Sequence, residues 1–371
     1  MKVKDITAII EELCPLTYAE EFDNVGLLVG DFTQEVTGIL VTLDTLEETI
    51  EEAIESGCNM IVSFHPIIFK GLKKINGSSY VERVVIKAIR NNIAIYSMHT
   101  ALDNSFKGVS DKMCELLNLK DRKVLIPQGH TLKKLTTYVP ESSAEEVRKA
   151  LFEAGAGHIG KYSHCSFNAK GEGTYLGDED SQPAIGEKEV LQQVPEILIS
   201  VILEKHAQGK ILKALRAHHP YEEIAYDIVP LDNKHPRIGM GMLGELENEM
   251  ETVRFLNMLK NTFKASVIRH SALEKKTIKK VAVLGGSGSF AIGEAMKAGA
   301  DIFITSDLKY HDFYRAEKKI ILADIGHYES EQFTKNLLVD YLTKKITNFA
   351  PALPQGGVIL SKKSTNPINY F

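Results

Sequence analysis

"TGILVTLDTLEETIEEAIESGCNMIVSFHP", residues 37–66, sets two short apolar runs around one amphipathic stretch. The runs 37–44 and 58–65 are rich in Ile, Leu and Val and too short for buried helices, so each predicts a strand. Between them Leu46, Ile50 and Ala53 recur at helical spacing and the pattern stops at Gly57, which predicts a crossover helix. Strand, helix and strand in this order imply parallel strands covered by helices.

The same grammar extends outward. "SSYVERVVIKAIRNN" (78–92) reads as a helix and "IAIYSMHT" (93–100) as a third strand. It returns late in the chain with "KKVAVLGGSGSFAIGEAMKAG" (279–299), "ADIFITSD" (300–307), "KIILADIGH" (319–327) and one helix over "ESEQFTKNLLVDYLTKKI" (329–346). From about Pro127 to about Pro236 the texture changes to strand, helix, a Gly-rich stretch, strand, helix and strand, the order of an independent ferredoxin-like α+β unit. The predicted fold class is therefore α/β: residues 1–126 and 237–371 form the two halves of one discontinuous domain, and residues 127–236 an inserted one.

Composition narrows the function. At 44% hydrophobic and 25% charged the 371 residues can bury a core, and a net charge of −5 offers no basic stripe, which counts against nucleic acid. The four cysteines lack a CxxC pair, which argues against a disulfide framework or thiolate zinc site and fits a reducing, cytoplasmic setting. The first residues, "MKVKDITAIIEELC", read as an amphipathic helix rather than a signal peptide, and no apolar run approaches the ~18 residues of a membrane span.

In open α/β sheets ligands gather beyond the carboxyl ends of strands. Here those ends carry Asp44, His65, His99 with Asp103, the "GGSGS" glycines, Asp307 with His311, and His327 with Glu331. Imidazole with carboxylate suits Zn²⁺, Mn²⁺ or Fe²⁺. His327 and Glu331, four apart, would share a helix face, and His99 and Asp103 repeat that spacing. A lone strand-end histidine is more often a hydrogen-bonded surface group; the convergence of four makes a metal site the stronger reading. "GGSGS" lacks GxGxxG spacing and a P-loop lysine, so a tight strand-to-helix turn explains it at least as well as a phosphate cradle. Lys309 and His311 suit anion binding, proton transfer or a solvated loop. In "EFDNVGLLVGD" (21–31), Asp23 and Asn24 read as shaping a turn rather than reaching the site. "AHHPYEE" (217–223) reads as a structural or ligand-pocket element, and Glu172 as part of a loop.

Six separated motifs, "EFDNVGLLVGD", "HPIIFKGLKKI", "MHTALDN", "GGSGS", "TSDLKYHDF" and "GHYESE", together resemble the NIF-three-like family, often labelled GTP cyclohydrolase I type 2 homologues. The central piece, ending "HHPYEEIAYDIVPL", is similar to the CutA/PII-like domain that longer bacterial members carry. The resemblance implies a dinuclear metal site in a ring-shaped homo-hexamer, with His65, Asp103, His327 and Glu331 as ligands and Zn, Mn or Fe as the ion. One position departs: the first histidine of the usual His-His-Pro motif is Phe64, which cannot ligate, so one or two ions per chain remain open. The expected activity is metal-dependent hydrolysis of a small molecule, a nucleotide or related heterocycle, with His99 or His311 moving protons. The competing expectation is a non-enzymatic metal-binding regulatory protein whose insertion senses a ligand.

Overall fold

The computed structural model describes residues 1–349 and 357–371. The chain divides into two compact units, Met1–Pro127 with Pro236–Phe371, and Gln128–His235. The strands of its first part are β1 (Gly26–Val29), β2 (Ile39–Thr42), β3 (Met60–Ser63), β4 (Ala94–Ser97) and β5 (Lys120–Pro127). The second unit contributes β6 (Leu132–Pro140), β7 (Ser166–Leu176), β8 (Leu191–Glu204) and β9 (Tyr226–Pro230). The chain then adds β10 (Gly239–Glu251), β11 (Arg269–His270), β12 (Thr277–Ser287), β13 (Ile302–Ser306), β14 (Ile321–Asp324) and β15 (Val358–Leu360).

The first unit holds two sheets, ordered β1-β4-β3-β2-β15 and β11-β14-β13-β12-β10-β5. Strands β2, β3 and β4 run parallel, with β15 added in parallel beside β2, and β12, β13 and β14 run parallel in the second sheet; β1, β11, β10 and β5 pair antiparallel with their neighbours. Each half of the unit thus builds its own sheet and lends a strand to the other: β15 from the C-terminal half pairs with β2, and β5 from the N-terminal half pairs with β10.

Alternation along the strands separates two cores on each sheet. Val41, Val62 and Tyr96 pack against Ile6 and Ile10 of the helix Val3–Leu13 and against Leu338 and Leu342. Their neighbours Leu40, Ile61 and Ile95 face the helices Glu47–Glu55 and Tyr80–Arg90. Every residue of β2, β3 and β4 is buried, as a parallel sheet covered on both faces requires. The helix Tyr80–Arg90 starts where the Ser79 side chain accepts a hydrogen bond from Glu82 N, and its last turn carries Lys87 and Arg90 against the negative end of its dipole.

Two expectations about elements change. The single late helix is broken into His327–Glu331 and Thr334–Phe349, so the residues that face the site stand on their own short helix. In the inserted unit the Gly-rich stretch is largely strand: Glu172 lies within β7, opposite Pro195 of β8, rather than in a loop. The inserted sheet has the order β7-β8-β6-β9 with antiparallel neighbours. With the helices Ala144–Glu153 and Gln208–His218 this is the β-α-β-β-α-β topology of a ferredoxin-like fold around Val147, Leu151, Ile199 and Ile211.

Candidate metal centre

The parallel strands of both sheets end at one place. Past β3, His65 N donates to Leu43 O at 2.9 Å, which sets the imidazole beside Asp44, two residues past the end of β2. Past β4, His99 opens the short helix His99–Asp103 with φ of +24°, a conformation that L-residues avoid and that here is enforced by His99 N donating to Phe64 O at 3.0 Å. Past β13, Asp307 also has a left-handed φ of +57°, tolerable for aspartate. Past β14, Gly326 with φ of +95° turns the chain into the helix His327–Glu331.

Three histidines there share one arrangement: Nδ1 donates to a carboxylate. The pairs are His65 with Asp44 Oδ1 (2.8 Å), His327 with Asp307 Oδ2 (2.7 Å) and His99 with Asp23 Oδ1 (2.8 Å). A carboxylate on Nδ1 fixes the ring plane and leaves Nε2 free to face a cation, the arrangement seen around metal-bound histidines.

Two of those Nε2 atoms converge. His65 Nε2 and His327 Nε2 lie 3.2 and 3.1 Å from Glu331 Oε2, and ligand atoms of the three residues all fall within 4.8 Å of one another, a group that can hold a metal ion. Despite those distances, Glu331 Oε2 is buried and has no hydrogen-bond partner, because neither approach has hydrogen-bond alignment. Glu331 reaches this position over the glycine pair Gly285–Gly286, where a Cβ at Gly286 would press on Oε1. Ser330 adds a stay: its hydroxyl accepts from Gly286 N at 3.0 Å. Asp103 lines a cavity of about 270 Å³ together with His99, His327 and Glu331.

Charge follows geometry. Burial works against the protonated imidazole of His65, yet the hydrogen bond to Asp44 and the Glu331 charge 3.2 Å away carry its pKa up to about 10. Burial likewise opposes His327, but Asp307 and Glu331 raise it to about 11. Against its own burial Glu331 is held down at about 2 by the two imidazoles. Asp103 goes the other way: burial, then the Glu331 charge, push its carboxyl well above the usual range. In the metal-free protein, protons on the imidazoles therefore supply the positive charge that the carboxylates require.

That charge makes stability depend on pH with a definite sign. The His65 pKa is raised above its unfolded value of 6.5, so its stabilisation is complete below about pH 6.5 and is lost as pH rises through about 10. Thermal melts in chelator should show Glu331→Gln less stable than the parent chain near pH 6, with the gap closing as pH rises through about 10 and then about 11, where His65 and His327 lose their protons. A gap independent of pH would remove the imidazolium pairing from the account.

His65, His327 and Glu331 of the residues singled out in the sequence are brought together, with His99 and Asp103 on the adjoining cavity wall. His311 stands on the exposed side of the 3₁₀ segment Tyr310–Ala316, its ring against Tyr310 and Tyr314, and is not part of that wall. Phe64 is fully buried in the core with Val62 and Met98, its ring centroid 4.9 Å from His65 and 5.5 Å from His99. Asp23, expected to shape a turn, instead reaches the site: besides His99 it accepts from Thr100 N at 3.0 Å and from the Thr100 hydroxyl. Hydrogen bonds from His99 and Thr100 outweigh its burial and lower its pKa. The Asn24 side-chain amide donates to Ile68 O, tying its segment to the chain past β3. Asp44 and Asp307, singled out in the sequence only as carboxylates at the ends of strands, prove to be the Nδ1 partners of His65 and His327.

Known proteins place the chain in a family. A Bacillus subtilis protein named GTP cyclohydrolase 1 type 2 homolog is 36% identical over 371 residues, covering 99% of this chain and 98% of its own. A namesake from Halalkalibacterium halodurans is 39% identical over 307 residues, 82% of each chain. The crystal structure of a Bacillus cereus protein related to NIF3 superposes with a TM-score of 0.84 at 35% identity, over 100% of this chain and 99% of that one. The sequence profile described as Duf34/NIF3 (NGG1p interacting factor 3) matches residues 1–367, and the chain belongs to that family.

Proposed function

We propose that the protein binds a divalent metal ion through His65, His327, Glu331 and Asp103 and is a metal-dependent hydrolase of a nucleotide or related heterocycle. One observation carries the reading: a buried glutamate oxygen without a hydrogen-bond partner sits between two imidazole Nε2 atoms whose rings are already fixed by carboxylates. A buried charged oxygen is costly unless a cation meets it. The donor set of imidazole and carboxylate fits Zn²⁺, Mn²⁺ or Fe²⁺, with zinc the first choice. The ion, once bound, supplies Lewis-acid activation of water and substrate near neutral pH.

The chain's own groups do the rest. His99 borders the cavity with Nδ1 engaged by Asp23, which leaves Nε2 as the group that takes or gives a proton. His311, expected to share this role, does not line the cavity, so proton transfer is assigned to His99. The family name of the relatives supports a purine nucleotide as the first substrate to try. Assembly as a homo-hexamer belongs to the same reading, and the ferredoxin-like sheet order of the inserted unit supports a PII-like insertion; ligand sensing by that insertion belongs to the second reading.

A second reading, metal binding without turnover, is favoured by Phe64, which places an apolar ring where the family's motif has another imidazole. Metal content by elemental mass spectrometry, followed by a nucleotide hydrolysis screen on the same untagged sample, separates the two. Turnover that is lost in chelator and restored by metal supports the hydrolase; stoichiometric metal with no turnover supports the binding protein. Phe64→His is expected to raise the ions bound per chain, since its ring would lie beside His65 and His99. An unchanged stoichiometry would detach position 64 from the site.

A further inference from the structure

Residues 361–371 return over the strand ends that carry the site. After β15 pairs with β2, Ser361 N donates to Val41 O at 2.9 Å. The buried carboxylate of Glu52, on the helix Glu47–Glu55, then takes the Ser361 hydroxyl on Oε2 (2.5 Å) and Lys362 N on Oε1 (2.8 Å). This double contact fixes the root of the tail independently of its last residues.

Four residues further on, Thr365 is 6% exposed and its hydroxyl donates to Asp44 Oδ2 at 2.5 Å. The other oxygen of the same carboxylate accepts from His65 Nδ1 at 2.8 Å. The next residue, Asn366, donates to Glu329 Oε1 at 3.1 Å, and Glu329 stands between His327 and Glu331 on their short helix. The tail therefore touches both the carboxylate that steers His65 and the helix that carries the other two converging groups.

We propose that Thr365 is a positioning residue for the metal centre, acting on His65 through Asp44; the inference rests on the metal-binding reading above. A carboxylate held through one oxygen alone can rotate about its terminal torsion, which is broad. Fixing Oδ2 with a hydroxyl stops that rotation and keeps Oδ1 in line with the imidazole N–H. The Asp44 side chain is 31% exposed, so without Thr365 water would compete for Oδ2. Threonine suits the task because its hydroxyl can donate to an acceptor-only carboxylate and its branched Cβ limits χ1.

The test is Co²⁺ binding, read by the ligand-field absorption of the ion, in the full chain and in Thr365→Val and Thr365→Ser. Thr365→Val keeps shape and removes the donor; Thr365→Ser keeps the donor. Direct outer partners of metal ligands are typically worth 10–100-fold in affinity, and one step further out the expected loss in Thr365→Val is about threefold to tenfold. Thr365→Ser should bind as the parent does, with all three proteins equal in circular dichroism. Equal affinity in Thr365→Val and the parent overturns the assignment, as does an equal loss in both variants, which would make packing the cause. A parent chain that binds no Co²⁺ overturns the metal reading and this inference with it, a result distinct from either of those two.

Discussion

Glu331→Ala is expected to empty the metal centre, leaving less than about a tenth of the parent's bound ion after equilibration at the same free metal. Loss of a group that only orients a ligand already costs 10–100-fold in affinity, and Glu331 is itself the point of convergence. Both imidazole Nε2 atoms lie within 3.2 Å of its Oε2, and the residue is 3% exposed. Circular dichroism should be unchanged. Elemental analysis is the readout, and parent-level stoichiometry in Glu331→Ala would rule out the assigned ligand set.

Gly286→Ala is expected to damage both stability and metal affinity although residue 286 carries no ligand. Its φ of +68° is a left-handed conformation that costs an L-residue ~1–2 kcal/mol. The added methyl would also press on Glu331 Oε1, so the carboxylate must leave its place between the imidazoles. Chemical denaturation should register the first effect and Co²⁺ titration a fall of about tenfold or more the second, by analogy with lost orienting partners. If stability fell while Co²⁺ affinity held, the glycine would serve the turn alone.

The sequence disclosed what depends on neighbours along the chain. The runs 37–44, 58–65 and 93–100 correspond to β2, β3 and β4 because their pattern is local, and the i,i+4 spacing of His327 and Glu331 survives as a helical pair. What it hid depends on distant pairing. Asp23 and His99 are 76 residues apart and meet only because β1 runs antiparallel beside β4. Thr365 and Asp44, 321 apart, meet only because β15 joins the first sheet. Gly286 looked like a turn residue because the side chain it makes room for arrives from a different element. The split of the late helix was hidden too, since polar and apolar residues continue at helical spacing through its break.

The register of β5 with β10 pairs Pro127 with Gly239 and Met240 with Ile126, so the chain leaves the second sheet and re-enters it at facing positions. Topologically, the inserted unit is a very long hairpin loop: its two ends are already held side by side, and closing them costs the sheet no strand. Loop-closure entropy grows only slowly with length, so the sheet tolerates a folded unit there almost as readily as a short turn. The centre at the strand ends of the two sheets can thus keep its geometry while whatever is spliced at that corner changes in size or purpose.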